Sequence, residues 1–228
     1  MSLTLIIGNK NYSSWSLRPW LAMKVAGLAF DEKVIPLYEP GSREQVLKYS
    51  PAGKVPVLLD GDAAIWESLA ILEYLAEKSP KAGLWPADPL ARSHARVVAN
   101  EMHGGFLPLR RNCPMNLWLP VKRRPVSDDA MDDVRRIDAL WSDCRARFGQ
   151  KADIGGPFLV GAIGAADAMY AQVVERLNSF GIQVSAASRA YMDAMMALPA
   201  WNEWRAAALK EPWVMQGNEP DWPLVRGL

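Results

Sequence analysis

Between Val55 and Lys78 the hydrophobic pattern switches from a strand period to a helical one. Val55–Leu59 is a short aliphatic run, Asp60-Gly61-Asp62 carries turn chemistry, and Ala63–Trp66 pairs back, which predicts a hairpin. From Ser68 onward Leu69, Ile71, Leu72 and Leu75 follow helical spacing, with Glu73, Glu77 and Lys78 on the polar side. Pro56 has no N–H for a ladder, so it is predicted to open its strand. The bond before it is one where cis costs only about 0.5–1 kcal/mol. Upstream, the pattern predicts a strand at Leu3–Ile7, a helix from about Ser16 to Ala26, a strand near Lys33–Pro36 and a short helix near Arg43–Lys48.

That β-α-β-α-β-β-α order predicts a thioredoxin-like α/β domain over residues 1–80. Ser79–Pro89 holds three prolines and reads as a linker, placed at 81–89. Residues 90–228 are expected to form an all-α helical bundle domain. One helix starts at Leu90 and runs to about Gly104, with Asp88-Pro89 as cap and first turn. A second carries Met131, Val134, Ile137, Leu140, Trp141, Cys144 and Phe148 on one stripe. A third carries Ala166, Met169, Tyr170, Val173, Val174 and Leu177, and two shorter helices follow near Ser188–Ala197 and Trp201–Leu209.

Charge and cysteine content remove several classes of function. A net charge of +1 over 228 residues argues against a nucleic-acid binder that works by bulk electrostatics. Two cysteines and two histidines, widely spread, offer neither a disulfide framework nor metal-ligand spacing. No apolar stretch approaches the ~20 residues of a membrane span. The opening MSLTLIIGNK reads as a first strand rather than a signal peptide, so a cytoplasmic location is expected.

With Pro56 in cis, the N–H and C=O of Val55 would be free to pair with an extended peptide as an added strand. At the helix start, the Ser68 hydroxyl and first-turn amides can hold a carboxylate, while Glu67 can accept from an ammonium. A peptide with an α-amino acid at one end fits both, and glutathione is such a ligand. Lys54-Val55-Pro56 and Glu67-Ser68-Leu69-Ala70-Ile71 resemble the pattern of the glutathione S-transferase family, and the resemblance covers nearly the whole chain.

In that family the catalytic hydroxyl lies after the first strand, here within Asn11-Tyr12-Ser13-Ser14-Trp15-Ser16. It donates a hydrogen bond to the glutathione sulfur and favours thiolate. Counting back from Arg18 selects Ser13 on the offset of the zeta, phi and tau types and Ser14 on the delta-like offset; Tyr12 is a third candidate. The stretch is most similar to the zeta pattern Ser-Ser-Cys-Ser-x-Arg, which ranks Ser13 first; Trp15 stands where that class has its Cys, which puts zeta-type isomerisation in doubt. A serine-type bacterial member of cytosolic type is implied. On the residues alone, a Ser-rich loop could equally cap a helix.

Glutathione is thus implied as cosubstrate, held by Lys54, Val55, Pro56, Glu67 and Ser68, with Ser42 and Arg43 as weaker candidates for its glycyl carboxylate. The resemblance places a pocket for a small hydrophobic electrophile near Tyr12, His103, Phe106, Leu107, Arg110 and Met115, where Gly104-Gly105 and Pro108 predict a bent or broken helix. On the residues alone, Arg110 and Arg111 read more readily as interface or solvent-facing residues. Cys144 is expected in the core, Cys113 in a loop, and Lys122-Arg123-Arg124 in solvent. Gly164 takes the usual Ser/Thr place of a capping box, with Asp167 three residues on. The family resemblance implies a glutathione transferase and a homodimer. A non-catalytic ligand-binding protein of the same fold, or a glutathione-dependent isomerase or reductase, is the alternative. The lack of Cys in residues 1–80 argues against a disulfide oxidoreductase.

Overall fold

The computed structural model describes residues 2–149 and 155–215. The end of the expected helical domain, 216–228, lies outside them. Strand β1 (Leu3–Ile7) is followed by α1 (Ser14–Val25), β2 (Phe30–Val34), α2 (Ser42–Leu47), β3 (Val57–Asp60), β4 (Ala63–Trp66) and α3 (Ser68–Lys78). The four-stranded sheet has order β2-β1-β3-β4. β1 runs parallel to β2, with Leu3 opposite Phe30, and antiparallel to β3, with Ile6 opposite Val57. Period-two alternation sorts the strand residues. Leu3, Leu5, Ile7 and Leu58 join Leu17, Trp20 and Leu21 of α1 and Ile71, Leu72 and Leu75 of α3 in the main core. Ile6 and Val57 point the other way and pack with Ile35 and with Val46 of α2.

The strand expected near Lys33–Pro36 lies at Phe30–Val34 instead. Its middle residues Asp31, Glu32 and Lys33 are exposed, so no apolar run marks it. They suit an edge strand, where charge discourages further pairing. Helix α1 begins where Ser13 caps it, the hydroxyl accepting from Ser16 N–H at 3.3 Å.

After a 3-10 turn at Pro80–Ala82 the chain becomes helical: α4 (Pro89–Gly104), α5 (Leu107–Asn112), α6 (Asp128–Cys144), α7 (Ala165–Ser179), α8 (Ala186–Met196) and α9 (Pro199–Ala208). Asp88 caps α4 by accepting from Ala91 N–H at 2.7 Å. The predicted break is present: α4 ends at Gly104, Phe106 takes φ 59°, and α5 starts with Pro108 in its first turn. Helix α6 continues into a π turn at Arg145–Gly149. Asp167 accepts from Gly164 N–H at 2.8 Å and from Leu159 N–H at 3.0 Å, so the capping carboxylate works without a Ser or Thr at the cap.

Helix α7 is the axis of the helical half. Every residue on it except Asn178 is buried, because α1 and α4 pack on it from different sides. A helix covered all round keeps its polar residues inside, and here these are Asp167, Gln172, Glu175, Arg176 and Ser179. Two other expectations are corrected. Cys113 is fully buried at the end of α5, and Arg124 is buried, donating to Pro120 C=O at 2.8 Å. Among the described residues no helix is long and apolar enough to cross a membrane.

Candidate functional site

The loop between β1 and α1 is pinned from the helical half. Trp204 Nε1 donates to Lys10 C=O at 3.0 Å, and Glu211 accepts from the Lys10 and Asn11 amides at 2.6 and 2.9 Å. Asn11 donates from its side-chain amide to Asn116 Oδ1 at 3.1 Å and accepts from Trp118 N–H, also at 3.1 Å. Asn9 holds the neighbouring strand exit, its Oδ1 accepting from Leu37 N–H at 2.7 Å. With its ends fixed in this way, the loop presents Tyr12, Ser13, Ser14 and Trp15 to a cavity of about 910 Å³.

The two serines differ in what already occupies them. Ser13 Oγ caps α1 and donates to Ser16 Oγ at 2.7 Å. Ser14, the first residue of α1, makes no side-chain hydrogen bond among the described residues. Tyr12 turns its ring edge-on to Trp118, 5.5 Å between centroids, and its hydroxyl accepts from Met215 N–H at 3.4 Å.

The sheet side of the same cavity is lined by Lys54, Val55, Pro56, Glu67 and Ser68, with Ser42 and Arg43. The Val55–Pro56 bond is cis. Ile71 N–H is the first amide of α3 to find a helical acceptor, the Glu67 carbonyl at 3.0 Å. The amides of Ser68, Leu69 and Ala70 therefore form the unpaired helix start. Glu67 stands at φ 68°, ψ 121°, a conformation unusual for a residue with a side chain. The Ser42 hydroxyl is committed to its own turn, donating to Glu39 C=O at 2.7 Å, which makes it a poor ligand group.

On the helical side Arg110, Pro114, Met115, Arg176 and Met215 line the cavity. Three residues expected there do not reach it. Phe106 is folded into the core, and Leu107 faces outward at 48% exposure, both consequences of the chain reversal at Gly105-Phe106. His103 sits behind Trp15, edge-on at 5.3 Å, with its Nε2 3.8 Å from a Glu67 carboxylate oxygen. Burial lowers the His103 pKa, and the nearby Arg18 adds to the effect. Arg111 is exposed, whereas Arg110 lies half-buried over Trp15, its carbon centre 4.8 Å from the ring.

Comparison with known proteins agrees with this geometry. The family described as glutathione S-transferase, N-terminal domain, matches residues 12–78. The chain is 36% identical over 96 residues to the probable maleylacetoacetate isomerase of Caenorhabditis elegans, a match covering 42% of this chain and 44% of that protein, less than half of either. It is 29% identical over 182 residues to glutathione S-transferase 1 of Dianthus caryophyllus, covering 76% and 77%. A Burkholderia glutathione transferase homologue solved with bound glutathione superposes with a TM-score of 0.68 at 21% identity, covering 91% of this chain and 98% of that one. Residues 12–78 thus match the N-terminal domain of the glutathione S-transferase family, and most of the chain is similar to proteins named as its members. The chain's thioredoxin-like N-terminal domain and helical C-terminal region are the fold of those neighbours.

Sequence reasoning named Arg110 on the helical wall of this site but missed Arg176. Arg176 is only 5% exposed, on α7 but outside the apolar stripe read from the sequence. No pattern in α7 announces the burial, because the signal lies in how many helices surround it. Asn11, Asn116 and Glu211, which hold the serine loop, were also silent: each bond joins residues about 100 or 200 positions apart. Among the described residues no cluster of His, Cys, Asp and Glu could hold a metal.

Proposed function

We propose that the protein is a glutathione transferase that binds glutathione as cosubstrate and activates its thiol for attack on a small electrophile. One observation carries this reading: a single cavity brings together the Ser13–Ser14 corner, the Val55–Pro56 edge and the Glu67–Ser68 helix start. These stretches are remote from one another in sequence, and each matches a different part of the tripeptide. Val55 offers backbone pairing to the peptide middle, the α3 amides and Ser68 hydroxyl suit the glutamyl carboxylate, and Glu67 suits its ammonium. Lys54, exposed at the rim, supplies charge for the glycyl carboxylate.

The sulfur then belongs at the serine corner. Ser14 has an uncommitted hydroxyl to donate, whereas Ser13 can serve only by turning its proton away from Ser16. We assign Ser14 the leading role and Ser13 the second. A charge-assisted hydrogen bond contributes about 1.5–3 kcal/mol and a helix N-terminus about 0.3–1 kcal/mol. At about 1.4 kcal/mol per unit, that is enough to lower a thiol pKa by one to two units from ~8.5. The thiol proton leaves to solvent, the thiolate pair forms the carbon–sulfur bond, and a halide departs with its bonding pair, or a carbon–carbon double bond takes up the charge and then a proton.

Glutathione-dependent isomerisation is the second reading, favoured by the similarity to the C. elegans protein. Trp15 at the place of the zeta-class Cys weighs against it. Thermal unfolding with and without glutathione tests the binding half. Glutathione at 100 times its Kd should stabilise by about 2.7 kcal/mol, and Ser68→Ala should remove most of that shift. No shift in the unmodified protein would overturn the proposal.

A further inference from the structure

Three arginines from three helices meet beneath the serine corner, and among the described residues no carboxylate pairs with them. Arg18 of α1, Arg110 of α5 and Arg176 of α7 take part in no ion pair among the described residues, although Arg18 and Arg176 are 1% and 5% exposed. Arginine stays ionised in proteins, so this is charge held inside without a counter-charge among the described residues. Burial lowers the pKa of all three, and Arg110 and Arg176 lower that of Arg18 further. A cluster of like charges of this kind is costly to assemble and persists where an anion completes it.

The donors show where that anion belongs. Arg110 uses Nη2 on the Met102 and His103 carbonyls, at 2.8 and 3.2 Å, leaving Nε and Nη1 without a hydrogen bond. Arg176 uses Nε on Gln172 Oε1 at 2.7 Å and Nη1 on the Arg110 and Cys113 carbonyls, leaving Nη2. These protein bonds fix both guanidinium planes, and both arginines line the cavity. Arg18 lies deeper, 4.2 Å from the Trp15 ring, with Nε buried and unpartnered, and adds field rather than contact. The sheet side of the cavity carries both signs of charge, in Glu39, Arg43, Lys54 and Glu67, whereas the helical wall carries arginine alone beside Pro114, Met115 and Met215. A wall of that composition fits a molecule with an apolar body and one carboxylate.

We propose that the electrophile taken by this cavity bears a carboxylate, received by the free donors of Arg110 and Arg176, with its apolar body against Trp15 and Met115. The inference rests on the glutathione-transferase reading and names the substrate class for it. Arg110 and Arg176 then orient the reacting carbon toward the serine corner, since Arg110 lies over the ring of Trp15, the residue next to Ser14.

Calorimetric titration of the full chain tests this without turnover. Glutathione is titrated first, and its binding judges the parent reading separately. The glutathione-loaded protein is then titrated with 4-nitrobenzoate and with its neutral isostere 4-nitrobenzamide. The acid is expected to bind at least tenfold more tightly, a difference of about 1.4 kcal/mol. Arg110→Gln should cut that preference to threefold or less with the glutathione Kd retained, and Arg110→Lys, which keeps charge but loses the fork, should fall between. Glutathione binding with equal affinity for the two probes, or with no acid binding at millimolar concentration, would overturn the proposal. So would an Arg110→Gln variant that keeps the acid preference and loses glutathione, because the arginines would then serve the cosubstrate.

Discussion

Glu67 holds φ 68° at the entrance to α3, and its carboxylate is more than half exposed, so no dense packing compensates for that backbone. A residue with a Cβ in this region costs on the order of 1–3 kcal/mol, and such strain persists where the position serves a ligand. Glu67→Ala keeps the strain and loses the carboxylate, whereas Glu67→Gly loses both. The Gly variant is therefore expected to unfold at higher denaturant than the Ala variant, by about 1 kcal/mol, with glutathione affinity reduced equally in the two. Equal stability would show that the conformation carries no strain. At this scale the sequence was partly legible. Val55-Pro56 and Glu67-Ser68 were visible because local chemistry defines them, a proline in one case and a helix start in the other. Whether Ser13 or Ser14 has a free hydroxyl was not visible, because the bond from Ser13 to Ser16 depends on how α1 begins.

Helix α7 carries the clearest consequence of burial at the scale of an element. Burial raises the Glu175 carboxyl to about 8, with Arg205 opposing it, and the Asp167 carboxyl to about 6 despite its backbone bonds. For a raised carboxyl, the folded chain keeps a proton that the unfolded chain has lost. Stability from Glu175 is thus full below its unfolded pKa of ~4.5 and falls as pH rises through about 8. One such proton gives a slope of up to about 1.4 kcal/mol per pH unit. Glu175→Gln should flatten urea-unfolding stability between pH 5 and pH 8 and leave the variant more stable than the parent at pH 8, with denaturant titrations at both pH values as the check. The apolar stripe of α7 was readable in the sequence, but the burial of its polar side was not. Periodicity reports where apolar residues recur; it does not count neighbouring helices. The same limit explains β2, whose charged residues hid an edge strand three residues upstream of its expected place.

At the scale of the molecule, one hydrophobic core joins both halves, with Trp20 and Trp204 edge-on at 5.1 Å across the boundary. The cavity therefore has walls fixed relative to each other. Its sheet wall was legible in sequence. Its helical wall was legible only in part: Arg110 and Met115 were expected there, whereas Arg176 and Met215 join them only through tertiary packing. Exposed Leu90 and Val97 on α4 remain as apolar surface, at 73% and 57%. They are expected to be covered in the homodimer that family resemblance implies, and Val97→Glu should shift the sedimenting species toward monomer. A parent protein that sediments as a monomer would remove the dimer.

The central claim is that this cavity makes glutathione a nucleophile. Ultraviolet difference titration of the bound thiol measures it directly. The thiolate band is predicted to grow in with a midpoint one to two units below ~8.5, to return most of the way in Ser14→Ala, and to shift less in Ser13→Ala. A midpoint that stays at the free-thiol value in the parent protein, or one unmoved by either substitution, would contradict the account.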